Sequence, residues 1–226
     1  MMSGNGILSK SELKKRYLVG IGIYVLYQLT FFFVESLNLN YQVIHHPIDD
    51  LIPFYEFWMP AYLSWFPYLA FSLIYFAHQT RGRLYYQYLG LLFGGMFATL
   101  VIYLIWPNMV DLRPAAFPRD NLFTDLVRVL HVVDTPTNVC PSIHVYATLV
   151  AHLSLMRQTQ LGKKRVYHLI SLVFVILILA STVFLKQHSI VDLFWGVIMG
   201  LALYFLAKRF WFDETPHYEC KANMDI

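Results

Sequence analysis

The chain has 226 residues, of which 58% are hydrophobic and only 14% charged, and its mean hydropathy is +0.50. A soluble globular domain carries about 25% charged residues, so this composition excludes one and describes an integral membrane protein. A formal net charge of +3 gives no case for a nucleic-acid partner, and two cysteines, Cys140 and Cys220, exclude a disulfide framework.

In chain order, the basic start "MMSGNGILSKSELKKR" leads into an apolar run. That run is longer than the roughly 7–15 residues of a signal-peptide core, and no small-residue cleavage pattern follows, so a retained first helix is expected. A spanning helix needs about 17–25 apolar residues. Candidates are 17–35, 58–78, 85–106, 143–157, 166–185 and 189–210. The fourth is short and is kept because its polar start belongs to the constellation below. The expected fold is therefore all-α: one integral membrane domain over 1–226, built as a six-helix transmembrane bundle. Pro60 and Pro67 predict an irregular or kinked entry to the second segment. The Gly90/Gly94 and Gly196/Gly200 spacings permit close helix packing.

Two long connections separate these segments. Residues 36–57 contain "HHPIDD" and no lysine or arginine. Residues 107–142 predict a short amphipathic helix, with Leu122, Phe123, Leu126, Val127 and Leu130 on one face, lying in the membrane interface.

The basic residues are distributed unevenly. Lys10, Lys14, Lys15, Arg16, Arg81, Arg83, Arg157, Lys163, Lys164, Arg165, Lys208, Arg209 and Lys221 fall on one side of a six-span topology, and Arg113, Arg119, Arg128 and Lys186 on the other. By the positive-inside rule both termini are cytoplasmic. Both long connections then face outward, and the two cysteines lie on opposite faces.

On the outer face the starts of the fourth and sixth segments meet. "CPSIH" puts Ser142 and His144 in the first turn of one, and "KQHSIVD" puts His188 and Asp192 at the start of the other. Free N–H groups and positive dipole ends at two helix N-termini predict an anion site. A spacing of four sets Asp192 on the face of His188, where a carboxylate can fix the imidazole tautomer and leave the second nitrogen free to attack. Arg113 offers a planar donor fork suited to phosphate oxygens. Ser142 has a capping role as its alternative, and Lys186 has snorkelling as its own.

These stretches resemble motifs of the type-2 phosphatidic acid phosphatase superfamily. "PSIH" is similar to its Pro-Ser-Gly-His signature, "STVFLKQHSIVD" to its third motif (Ser-Arg, five residues, His, three residues, Asp), and "LRP" to the end of its first. The resemblance spans roughly 103–205. It implies that His188 is the nucleophile and forms a phosphohistidine, that Asp192 orients it, and that His144 serves as acid and then base. It also implies that Ser142, Arg113 and N-terminal amides hold the phosphate, with Lys186 a candidate replacement cation alongside Arg119 and Arg128. No metal and no cofactor is implied. Trp106 and Thr182 stand where the family has lysine and arginine, and such losses are similar to the branch of inositol phosphorylceramide synthases and their bacterial relatives.

The expected function is a membrane-embedded lipid-phosphate phosphatase or phosphotransferase in a bacterial-type plasma membrane. Its substrate would be phosphatidate, a polyprenyl diphosphate or a phosphodiester lipid, and its acceptor water or an alcohol. A non-catalytic transporter or binding protein using the same pocket is the alternative, and a vanadate-binding haloperoxidase is disfavoured by the membrane segments. His45, His46, Asp49 and Asp50 have the side chains of a zinc or calcium site, but a surface loop near the substrate entrance is the preferred reading.

Overall fold

The computed structural model describes residues 8–79, 81–157 and 165–212. Lys163, Lys164, Cys220 and Lys221 lie outside them. The described chain is mostly helical, and four helices are long and apolar enough to cross a membrane: α1 (Lys10–Glu35), α5 (Gly82–Ile105), α8 (Arg165–Phe184) and α9 (Ile190–Phe210). The shorter helices are α2 (Pro47–Leu51), α3 (Met59–Leu63), α4 (Trp65–Ala77), α6 (Leu122–Val133) and α7 (Ile143–Arg157).

The second expected span is therefore interrupted. A 3-10 turn over Glu56–Trp58 leads into α3, and the chain restarts at Trp65 as α4. Pro67 cannot donate an N–H to the carbonyl four residues earlier, that of Leu63, which is where α3 ends. Ser64 Oγ instead bonds the Ala61 carbonyl at 2.6 Å. At about 1.5 Å per residue, the 15 residues of α7 rise about 22 Å, less than the roughly 30 Å of a hydrocarbon core.

The helices pack through small residues where they come closest. A Cβ on Gly196 would lie 2.9 Å from the Val145 Cβ and 3.0 Å from the Ser142 carbonyl, and one on Gly200 would lie 3.0 Å from Leu149. Helix α9 can approach α7 only because those positions have no side chain. The other predicted pair divides. Gly90 faces the Trp211 ring, whereas nothing lies within 4 Å of a Cβ on Gly94.

At the opposite end of the bundle from the site, buried Arg16 donates to the Ala77 and Gln79 carbonyls at 2.9 and 2.5 Å, satisfying the end of α4. This basic residue is a helix clamp as well as a charge. Nearby, Gln87 donates to the Trp211 carbonyl at 2.7 Å, tying the start of α5 to the end of α9.

The two long connections are ordered and knitted together. Gln42–Val43 and Asn108–Met109 form a two-residue parallel ladder that composition did not foreshadow. Helix α6 forms as expected, but it turns its apolar face to protein. Val127 is fully buried, and Phe123, Leu126 and Leu130 pack with it against Met59, Tyr62 and Leu185, while Leu122, Val129 and Val132 remain exposed. The start of α6 is pinned by Glu56, which is buried and accepts from Arg119 at 2.6 and 2.9 Å and from Asn121 at 3.0 Å.

Two predictions follow from this packing. Gly196→Val should cut activity sharply, because the overlap involves backbone and Cβ atoms and overpacking costs about 1–3 kcal/mol. Gly94→Val should leave melting temperature and turnover near wild type. The second concerns acid. Arg119 holds the Glu56 carboxyl down at about 2, against an ordinary 4.5. That stabilisation is fully present above pH 4.5 and fades as pH falls toward 2. Melting in detergent should show Glu56→Gln less stable than wild type at pH 7, with the gap closing in acid.

Candidate active site

The site forms where the starts of α7 and α9 meet. Ser142 N–H donates to the Asp192 carbonyl at 3.1 Å, which locks the two first turns together. The loop before Ser142 is shaped by Asn108. Its buried side chain accepts from Val139 and Cys140 N–H at 2.9 and 2.8 Å and donates to the Trp106 and Cys140 carbonyls at 2.9 Å each. Burial also pushes the Cys140 thiol up to about 12, with Asp192 adding to the effect, so it is held as an inert thiol.

Ser189 caps α9, accepting from Val191 N–H, and Asp192 closes the capping box by accepting from Ser189 N–H at 2.8 Å. The same oxygen, Asp192 Oδ2, lies 3.2 Å from His188 Nδ1. An ionised carboxylate only accepts, so Nδ1 carries the proton and the Nε2 lone pair of His188 is free. Nε2 faces Ser142 Oγ at 3.1 Å and His144 Nδ1 at 3.3 Å. His188 is 6% exposed, and Asp192 is fully buried. Beyond them, His144 Nε2 lies 2.9 Å from Tyr62 Oη, which donates to Asp134 Oδ2 at 2.7 Å. The Tyr62 and Trp65 rings flank the His144 ring, with centroids 5.0 and 4.6 Å away.

Four of the residues singled out in the sequence therefore converge: Ser142, His144, His188 and Asp192. Arg113 and Lys186 lie behind them and do not line the cavity. Arg113 donates to the His131 and Asp134 carbonyls at 2.9 and 2.5 Å and to Gln187 Oε1 at 2.9 Å. Burial draws its guanidinium below its ordinary value, with Asp134 opposing. Lys186 has a left-handed backbone (φ 58°), and its Nζ donates to the Asp49 carbonyl at 2.6 Å. Burial lowers it too, against the pull of Asp49 and Asp50.

The segment "HHPIDD" lies at the surface as expected, with His45, His46, Pro47, Ile48 and Asp50 exposed. It differs from a plain loop in forming α2 and in burying Asp49, which accepts from Ile190 N–H at 2.9 Å, Ser189 Oγ at 2.6 Å and His46 N–H at 2.8 Å. The N-terminus of α9, expected to offer free N–H groups to an anion, is thus covered by two carboxylates of the protein itself. Trp106, where the resembled motif has lysine, donates its Nε1 to Gln42 Oε1 at 2.7 Å. Among the described residues, no cluster of three or more His, Cys, Asp or Glu side chains has the arrangement of a metal site.

A cavity of about 590 Å³ runs from His144, His188 and Asp134 past Tyr103 into a groove among α1, α4 and α5, as far as Gly20 and Tyr85. No lysine or arginine lines it among the described residues. The chemistry on offer is a carboxylate-backed lone pair with a second imidazole in hydrogen-bond reach, at the polar end of an apolar channel. Sequence reasoning missed Tyr62, Asn108 and Asp134. Asp134 opens the stretch "DTPTNVCPSIH", which ends in His144, and a carboxylate so near an apolar segment is a usable signal.

No curated protein and no solved structure matches the chain. A family model does match, over residues 107–216, a segment that includes Arg113, Ser142, His144, His188 and Asp192. This match suggests a phosphatase or phosphotransferase acting on lipid phosphates, and the long apolar helices are compatible with a membrane protein. The model that matches is that of the PAP2 superfamily, and it covers just under half of the chain.

Proposed function

We propose that the chain is a metal-independent lipid-phosphate phosphotransferase or phosphatase that works through a phosphohistidine at the outer membrane interface. The observation that carries this reading is the chain of contacts Asp192–His188–His144 at the polar end of the apolar cavity. His188 Nε2 attacks phosphorus, and Asp192 supports the ring as it becomes cationic. His144 protonates the leaving oxygen and then takes the proton of the incoming hydroxyl. Phosphoryl transfer asks chiefly for alignment and charge stabilisation. Ser142, beside the nucleophile, is assigned a phosphate oxygen. Arg113 and Lys186 are assigned supporting positive potential from the layer behind.

A cavity without lining cations favours a phosphate of low charge. A phosphodiester lipid with an alcohol acceptor is therefore preferred over phosphatidate or a polyprenyl diphosphate, in keeping with an inositolphosphotransferase-like branch. The apolar groove suits the lipid tails.

Six spans with both termini cytoplasmic complete the reading, α3–α4 and α7 being the two added to the four long helices. Basic Arg16, Arg81, Arg83, Lys208 and Arg209 sit at helix ends remote from the site, which supports an outward-facing site. In a bacterial plasma membrane, a protein lacking Cys220 and carrying Asp120→Cys should label from outside with an impermeant maleimide, whereas one carrying Lys164→Cys should not. The reverse pattern overturns the sidedness.

The chemistry is tested by trapping. Purified protein given lipids with labelled headgroup phosphate should form an acid-labile, base-stable adduct that is absent in His188→Ala. His144→Ala should slow turnover about a hundred- to ten-thousandfold, the usual worth of general acid–base assistance. An adduct persisting in His188→Ala removes the assigned nucleophile. Transfer and hydrolysis are told apart by following new headgroup products and free phosphate together.

A further inference from the structure

The roles assigned to His144 require its two ring nitrogens to be distinguishable, and nothing in its own sequence neighbourhood does this. Two residues from elsewhere in the fold reach it. Tyr62 comes from α3, 82 positions away, and Asp134 from the end of α6. Tyr62 is 1% exposed, and its hydroxyl contacts both His144 Nε2 and Asp134 Oδ2.

The direction of these bonds is set by chemistry. A carboxylate can only accept, so the Tyr62 hydroxyl spends its single proton on Asp134. Its oxygen then meets His144 Nε2 as an acceptor, which requires Nε2 to be the N–H of that ring. The other nitrogen, Nδ1, is left as the basic one, and it lies 3.3 Å from the bare His188 Nε2, so the two rings share a hydrogen bond only when Nδ1 takes up a proton and His144 becomes the imidazolium. On the far side, the Asp192 carboxylate fixes His188 in the opposite sense, with Nδ1–H inward and Nε2 bare.

We propose that Tyr62 and Asp134 are positioning residues that hold His144 in the Nε2–H tautomer, so that Nδ1 is the atom that gives and takes the proton during phosphoryl transfer. The inference rests on the phosphohistidine reading above and deepens it. In the first half-reaction, the His188 Nε2 lone pair forms the N–P bond as the P–O bond to the leaving group breaks. The proton on Nδ1 of the imidazolium form of His144 passes to the leaving oxygen. In the second half, the acceptor oxygen forms its bond to phosphorus, the P–N bond breaks, and the acceptor's proton returns to Nδ1. Through both halves Nε2–H stays bonded to Tyr62, and the Asp134 charge, relayed by the phenol, steadies the imidazolium. Each end of the histidine pair thus has its own carboxylate, one in direct contact and one through a tyrosine.

Arg113 belongs to the same device. It donates to the Asp134 backbone carbonyl at 2.5 Å, which holds the carboxylate's residue in place without consuming its side-chain oxygens.

The test has two readouts. The first does not need turnover: nitrogen-15 NMR of histidine-labelled protein in lipid nanodiscs, with the His144 signals assigned by their loss in His144→Gln. Wild type should show neutral His144 protonated at Nε2, and Tyr62→Phe should show a tautomer mixture. A wild-type ring protonated at Nδ1 overturns the inference whatever the activity.

The second is kinetic. Tyr62→Phe and Asp134→Asn should lower kcat tenfold or more, with little change in KM, for a phosphodiester lipid with an alkyl alcohol leaving group. The burst of phosphoenzyme from a 4-nitrophenyl phosphodiester lipid, whose leaving group needs no proton, should stay within twofold of wild type. Equal losses on both substrates, or no loss on either, reject the positioning role. Asp134→Asn covers the case in which Tyr62→Phe does not fold. A wild type inactive on both substrates strikes the phosphotransfer reading, and the NMR result still decides the tautomer.

Discussion

One oxygen atom organises the functional end of this protein. Asp192 Oδ2 accepts from Ser189 N–H, which closes the capping box of α9, and from His188 Nδ1, which fixes that ring. Capping and orienting are therefore one interaction. The helix cannot start properly without the carboxylate that aims the imidazole. A cap of this kind is worth about 0.5–2 kcal/mol, and a buried carboxylate with no donors would cost more than that. The acid is tolerable in the interior because both the helix end and the histidine supply it with donors.

Around that atom the fold adds a second carboxylate to the same helix end. Asp49, from the first long connection, bonds Ile190 N–H and the Ser189 hydroxyl, and its carbonyl holds the Lys186 ammonium. A segment about 140 residues away in sequence thus braces the start of α9 from outside. The positive end of the helix is neutralised by the protein, which directs attention to hydroxyls and imidazoles as the groups that meet a ligand. This agrees with a cavity lined by no lysine or arginine among the described residues.

The helix contact that supports the site is equally specific. Gly196 and Gly200 let the α9 backbone lie against Val145 and Leu149 of α7, and only at that distance can Ser142 N–H reach the Asp192 carbonyl. In lipid there is no hydrophobic force pulling one apolar helix onto another, so close packing through small residues and a few buried hydrogen bonds must do it. The Ser142 hydroxyl and the His144 ring then both fall within 3.3 Å of His188 Nε2 as a consequence of backbone approach.

Much of this was open to inspection in the sequence, because it is local. Apolar runs locate membrane helices by length, Pro67 marks a break in the second, and a spacing of four puts His188 and Asp192 on one helical face. Those are properties of a few consecutive residues and of the fixed geometry of a helix. Tyr62, Asn108 and Asp49 were not legible as partners of the site, since each meets it across about 30 to 140 residues of intervening chain, and Asp134, only ten residues before His144, reaches it through Tyr62. Nor could spacing say that α6 would bury Val127 against α3, or that Arg113 and Lys186 would spend donors on backbone carbonyls. Which donor finds which acceptor in an apolar interior is decided by the packing of whole helices, where every buried polar group must be satisfied by whatever the fold brings near. The sequence alone determined the membrane character, the helical segments and the histidine–aspartate pair. The tertiary structure decided which nitrogen faces which, because tautomers are set by neighbours that only folding assembles.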